Sequence, residues 1–189
     1  MRVAGFVLAG GESRRMGRNK ALLPYLGEPL AGVLARTVLQ VADSVHIIGD
    51  PSLYASLGYP VMPDAVAPCG AAGGIYTALL QNLAHWNLVV ACDMPRVDTA
   101  LLQKLVQYAG DGKGDCIVPL GPDRQPEPLC ALYHVRCRPV LERAISEKRL
   151  RMRDLVAEMH PVLVSGNEAA CFVNVNTPAD LRQLEEPAG

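Results

Sequence analysis

Arg2-Val3-Ala4-Gly5-Phe6-Val7-Leu8-Ala9-Gly10-Gly11-Glu12-Ser13-Arg14-Arg15-Met16-Gly17-Arg18-Asn19-Lys20 decides how the rest of the chain is read. Residues 2–8 are a short apolar run with the length of a buried strand, and the run stops at Ala9-Gly10-Gly11. Two adjacent glycines let the backbone turn freely and bring its amides close to a ligand. Successive N–H groups in such a turn make a nest for an anion. Arg14, Arg15, Arg18 and Lys20 follow, offset only by Glu12. Four cations in seven residues beside a glycine turn suit a triphosphate, and a glycine turn followed by a solvated basic loop accounts for the same letters. The spacing is neither that of a Walker A loop nor G-x-G-x-x-G. Ser13 lacks the second glycine of a nucleophile elbow.

Outward from this stretch, apolar runs alternate with helix-period segments. Residues 29–41 read as a helix with proline at its start, 45–48 and 60–62 as strands, and 74–83 as a helix that begins at a glycine pair. A fully apolar strand at 88–92 ends in Asp93-Met94-Pro95, and a helix follows at 99–109. Strands are expected at 115–120, 129–134, 162–164 and 172–175, and helices at 138–147, 152–159 and 178–184. Such alternation implies an α/β fold, a three-layer sandwich with a mostly parallel sheet covered on both faces. Ligands then sit beyond the carboxyl ends of the strands, which directs attention to the loops after Leu8, Met62, Cys92 and Val175.

A chain of 189 residues fits one domain, residues 1–189, and is long enough to bury its core without staples. A net charge of −1 gives no general attraction for nucleic acid or an anionic membrane, and 5% aromatics leaves no stacking platform for single strands. The cysteines Cys69, Cys92, Cys116, Cys130, Cys137 and Cys171 show neither C-x-x-C nor zinc-finger spacing, so they read as small core residues. The first residues turn glycine-rich too soon for a signal peptide, and no apolar run approaches a membrane span, which makes a reducing cytoplasm the expected compartment.

Three further segments carry candidate chemistry. Asp64 precedes Gly70-Ala71-Ala72-Gly73-Gly74, whose missing bulk suits either a ligand at a helix entrance or close helix–sheet packing. Asp93 is the lone carboxylate at the end of an uncharged strand, placed to meet a crevice ligand and to hold magnesium, or to form its own turn. Asn174 and Asn176 stand two apart on an expected strand and so face one side, toward a polar ligand or toward turn amides.

Together, Leu8-Ala9-Gly10-Gly11, Ser13-Arg14-Arg15-Met16-Gly17, Lys20-Ala21-Leu22-Leu23, Gly27-Glu28-Pro29-Leu30, Asp64, residues 70–74, Cys92-Asp93-Met94-Pro95, Pro128-Leu129-Cys130-Ala131-Leu132-Tyr133 and Asn174-Val175-Asn176-Thr177-Pro178 resemble the molybdenum cofactor guanylyltransferase family. The resemblance implies a Rossmann-like nucleotide-diphospho-sugar transferase fold and a single nucleotidyltransferase domain. It implies GTP and molybdopterin as substrates, Mg2+ as cofactor, and the guanine dinucleotide cofactor and pyrophosphate as products. It further implies transient contact with other cofactor-biosynthesis proteins or a molybdoenzyme apoprotein. By the resemblance Leu8, Ala9, Gly10, Gly11, Lys20, Asp64, Gly70 and Asp93 bind the nucleotide, and Lys20, Asp93 and Arg15 serve catalysis. Asp93 is then the metal ligand, and Asn174 and Asn176 meet the acceptor. Where the family can place a nucleotide-contacting asparagine after the second strand, this chain reads Ile47-Ile48-Gly49-Asp50. The alternatives are a cytidylyltransferase on the same pterin, a relative acting on another small phosphate, and a non-catalytic nucleotide-binding regulator.

Overall fold

The computed structural model describes residues 1–10, 19–66, 68–166, 168–175 and 178–185. Its strands are β1 (Val3–Leu8), β2 (Pro24–Tyr25), β3 (Glu28–Pro29), β4 (Ser44–Ile48), β5 (Val61–Met62), β6 (Trp86–Ala91), β7 (Cys116–Pro119), β8 (Cys130–His134) and β9 (Pro161–Val164). Its α-helices are α1 (Leu30–Leu39), α2 (Pro51–Tyr54), α3 (Gly70–Leu80), α4 (Thr99–Gly110), α5 (Arg138–Ser146), α6 (Met152–Ala157) and α7 (Pro178–Glu185). Seven strands form one sheet in the order β5-β4-β1-β6-β8-β7-β9. Every pairing in it is parallel except those of β8, which runs against both β6 and β7.

The two-residue period of the strands divides the core between the two faces. On β1, Val3 and Val7 join the apolar cluster under α1 and α4, while Ala4, Phe6 and Leu8 join the cluster under α3, α5 and α6. Gly5 permits the close approach of α1, because a Cβ there would stand 2.3 Å from Val38 Cγ1. The sheet is therefore covered on both faces, as the alternation implies, and the carboxyl ends of β1, β4, β5, β6 and β7 open on one edge.

Two local expectations are corrected. The helix expected at 74–83 begins four residues earlier, at Gly70, because Gly73 and Gly74 are contact points within it. A Cβ on Gly73 would lie 3.0 Å from Cys69 Cβ and from the Val66 carbonyl, and one on Gly74 would lie 3.0 Å from Leu8 Cδ2. Residues 172–175 are not a strand. Their apolar spacing has another origin: Phe172 is buried in the core under α1 and α4, whereas Val175 joins a separate cluster with Leu23, Tyr25, Leu30, Val33 and Leu181. That small cluster seats α7 against the β2–β3 hairpin, which the periodicity also left unmarked. The hairpin turns on Leu26 and Gly27, both at positive φ, the two-residue geometry that matches strand twist.

The cysteines are free; Cys116, Cys130, Cys137 and Cys171 are buried, and Cys69 and Cys92 are partly so. No helix among the described residues is long and apolar enough to cross a membrane.

Candidate active site

β6 delivers Asp93 to the open edge of the sheet. Cys92 N donates to the Leu8 carbonyl at 3.0 Å, so the β1 pairing continues past the end of the strand. Pro95 and a turn closed by Met94 N on the Ala91 carbonyl then end the strand direction. The Asp93 carbonyl accepts Val175 N at 2.8 Å, which ties the segment before α7 to the same spot.

Lys20 opens a short 3-10 turn, Lys20–Leu22, capped by Asn19, whose side chain accepts from Ala21 N. Its Nζ lies 3.2 Å from Asp93 Oδ2, with the two side chains 15% and 29% exposed. Two motifs 73 residues apart thus meet at hydrogen-bond distance. The other Asp93 oxygen, Oδ1, is buried and has no hydrogen-bond partner among the described residues. An unsatisfied buried acceptor costs about 1–3 kcal/mol, so this oxygen is matched to a water, a cation or a ligand donor. Among the described residues no three His, Cys, Asp or Glu side chains converge into a metal cage. One carboxylate oxygen without a partner beside the Lys20 ammonium fits the modest demand of Mg2+, which takes one or two carboxylates and completes its shell with phosphate and water.

The turn after β1 is held differently from the expected anion nest. Ala9 N and Gly10 N both donate to the Ile48 carbonyl, at 2.9 and 3.0 Å, so these two amides brace the loop against β4. Among the described residues beyond its chain neighbours, a Cβ on Gly10 would meet nothing nearer than the Ile48 carbonyl at 3.8 Å. Gly11, Arg15 and the other loop arginines lie outside the described residues.

A residue that the motifs do not mark completes this brace. Tyr54, on α2 and buried, donates its hydroxyl to the Ala9 carbonyl at 2.8 Å and receives Asn19 Nδ2 at 2.8 Å. One phenol therefore couples the end of β1 to the residue before Lys20. Burial raises its pKa, with Asn19 opposing, so it stays a neutral donor. Gly49 makes room for the ring: a Cβ there would stand 2.5 Å from Tyr54 Cε2. Asp50 is spent as the cap of α2, accepting from Ser52 N at 2.9 Å and Ser52 Oγ at 2.7 Å. The only sequence signal for Tyr54 was its place just beyond the second strand.

Asp64 is half-buried beside α3. Its Oδ1 receives Thr77 Oγ1 at 2.9 Å and Val66 N at 3.3 Å, which fixes the loop entering the helix and leaves Oδ2 outside that network. Gly70 starts α3 at φ +54, a left-handed turn that disfavours a side chain. Asn174 is exposed on the segment bound to Asp93, and Asn176 lies outside the described residues. Residues 172–175 are not a strand, so Asn174 does not stand on one, and the shared face expected for the two asparagines lies in part outside the described residues. The histidines stand away from the crevice; His46 lies within β4, and burial lowers its pKa.

A family model of the MobA-like NTP transferase domain matches residues 5–162. A probable molybdenum cofactor guanylyltransferase of Synechococcus elongatus is 35% identical, with 98% of this chain and 99% of that protein aligned. A protein of the same description from Flavobacterium johnsoniae is 31% identical over 95% of this chain and 94% of its own. Among solved structures, molybdopterin-guanine dinucleotide biosynthesis protein A of Archaeoglobus fulgidus superposes with a TM-score of 0.80 at 26% identity, covering 98% of this chain and 97% of that one.

Proposed function

This chain belongs to the MobA-like NTP transferase family, and from that membership we propose that it transfers GMP from GTP to the terminal phosphate of molybdopterin, releasing pyrophosphate. The observation that carries the reading is the Lys20–Asp93 pair at 3.2 Å, with a buried, unspent Asp93 oxygen at the carboxyl end of the central strand.

In this reading an oxygen of the acceptor phosphate forms a bond to the α-phosphorus of GTP as the bond from that phosphorus to the bridging oxygen breaks. The electron pair leaves on pyrophosphate. A phosphate is already ionised at neutral pH, so the step needs no general base, which agrees with histidines that stand away from the crevice. Positioning and charge neutralisation are then the protein's share of catalysis. Asp93 is the residue that would hold Mg2+, which when bound neutralises charge on the phosphate oxygens. Lys20 offers its ammonium to the same phosphates, and Arg15 and its neighbouring arginines add charge from the loop. Leu8, Ala9, Gly10 and Gly11 bind the nucleotide, and Tyr54 holds the Ala9 carbonyl in place behind it. Asp64 and Gly70 bound the base and ribose, and Asn174 and Asn176 meet the acceptor.

The test is release of pyrophosphate with GTP, molybdopterin and Mg2+. Release should require all three, and mass spectrometry should find the guanine dinucleotide. Release from GTP at the same rate without molybdopterin would make the protein a hydrolase and overturn the proposal.

A further inference from the structure

We propose that Glu127 recognises the acceptor, its carboxylate taking the two adjacent donors of the 2-amino-4-oxo pyrimidine ring of the pterin. This rests on the reading of molybdopterin as the acceptor. The sheet order puts β1, β4 and β5 on one side of β6 and β8, β7 and β9 on the other. The loops of the first side carry the glycine turn, Lys20 and Asp64. An acceptor that must reach the α-phosphorus from across Asp93 therefore has the β8 side available to it.

Glu127 is built into that side. Its N–H donates to the Pro119 carbonyl at 2.9 Å and its carbonyl accepts Cys130 N at 3.2 Å, so its backbone is fixed at both ends. Two residues on, the Leu129 carbonyl accepts Ala91 N at 2.7 Å, which sets this segment against the last residues before Asp93. The side chain is 15% exposed and folds over Gly121, where a Cβ would stand 2.7 Å from Oε1. Its contact with Arg153 is a single long approach of 3.5 Å to that same oxygen. A stabilising Arg–carboxylate pair uses two short parallel bonds, and this one leaves Oε2 outside the contact. Burial raises the carboxyl's pKa, only partly opposed by Arg153, and Asp123 and Asp93 raise it further. A carboxylate kept in so unfavourable a place with part of its accepting capacity unspent is matched to a ligand with paired donors. The pterin ring presents an N–H and an amino group side by side, which one carboxylate accepts together.

The experiment measures binding of free pterin, a 2-amino-4-oxopteridine without phosphate, by its fluorescence, alongside KM values in the complete reaction. Glu127→Gln keeps the shape and replaces one acceptor by a donor. It should weaken pterin binding and raise the KM for molybdopterin at least about tenfold, with the KM for GTP and the melting temperature little changed. Glu127→Asp, which retains charge but shortens reach, should fall between. Unchanged pterin binding in Glu127→Gln would overturn the assignment, as would equal rises in both KM values or a raised Mg2+ requirement alone. Failure of the wild-type protein to make the dinucleotide would instead overturn the guanylyl-transfer reading, and the pterin titration would still test Glu127. If Glu127→Gln fails to fold, Glu127→Asp decides: a recognition role predicts weakened pterin binding with the melting temperature little changed, and a merely structural pair with Arg153 predicts a lowered melting temperature with normal pterin binding.

Discussion

On the β1 side of β6 the described residues at the strand ends are small at Ala9, Gly10 and Gly70, and Lys20 and Asp64 carry charge among them. On the β8 side stand longer side chains, among them Glu127 and Arg153. The first side has to admit a triphosphate closely, so its letters are constrained by sterics as well as charge. In the proposed reading the second recognises its ligand through reach and direction, which a run of letters does not encode. Each side nevertheless keeps one half-buried carboxylate, Asp64 and Glu127. Guanine and pterin share the same 2-amino-4-oxo donor edge, so a dinucleotide of the two would meet one carboxylate at each end.

The largest expected effect lies on the boundary between the sides. Asp93→Ala should fold and bind nucleotide but lose turnover by at least ~10²-fold, the scale of removing one electrostatic stabiliser. Near-normal rates at ordinary Mg2+ concentrations would remove Asp93 from the reaction. Next, Lys20→Ala should weaken GTP binding about 10- to 100-fold while leaving guanosine almost unaffected, because an ammonium distinguishes ligands by charge. Equal losses for nucleoside and triphosphate, read by calorimetry, would make Lys20 part of the scaffold.

A smaller effect is expected where the nucleotide side is braced from behind. Tyr54→Phe deletes the hydroxyl between the Ala9 carbonyl and Asn19 without changing the ring that fills Gly49. One lost hydrogen bond of about 0.5–1.5 kcal/mol should appear as a several-fold rise in the KM for GTP, with the KM for molybdopterin unmoved. If both constants rise together, the brace serves the whole crevice and the division at β6 is wrong.

The smallest effect is on stability. A carboxyl whose folded pKa is raised favours the fold while protonated and loses that contribution as pH rises through the folded value. Glu127, raised first by burial, therefore weighs on the fold at neutral pH. Glu127→Gln should be slightly more stable than the wild type at pH 7, by less than ~1 kcal/mol after solvent screening, and the difference should vanish near pH 4. A variant less stable at pH 7 than at pH 4, relative to wild type in thermal melts, would mark Glu127 as a structural partner of Arg153.

This contrast also explains how much was legible beforehand. The strand–helix alternation placed the sheet elements because buried strands and amphipathic helices write their period into the chain. Lys20 and Asp93 stood out because a charge next to glycine or at the end of an apolar strand is conspicuous, and the fold brings them to 3.2 Å. Residues 172–175 misled because Phe172 and Val175 serve two different cores, and alternation alone cannot distinguish that from a strand. The β2–β3 hairpin was too short to show a period. Tyr54 and Glu127 were silent because their meaning depends on partners 45 and 26 residues away, Ala9 and Arg153.

The central claim, that the nucleotide side selects guanine, is tested most directly by competition among the four nucleoside triphosphates for transfer to molybdopterin, run on the wild type and on Asp64→Asn. Adenine would leave the half-buried Asp64 carboxylate unpaired and cytosine would not fill a purine site, so GTP should win by roughly tenfold to a hundredfold, and Asp64→Asn should erode that preference. A win for CTP with the wild-type protein would contradict the account. A GTP preference untouched by Asp64→Asn would keep the reaction and take base selection away from Asp64.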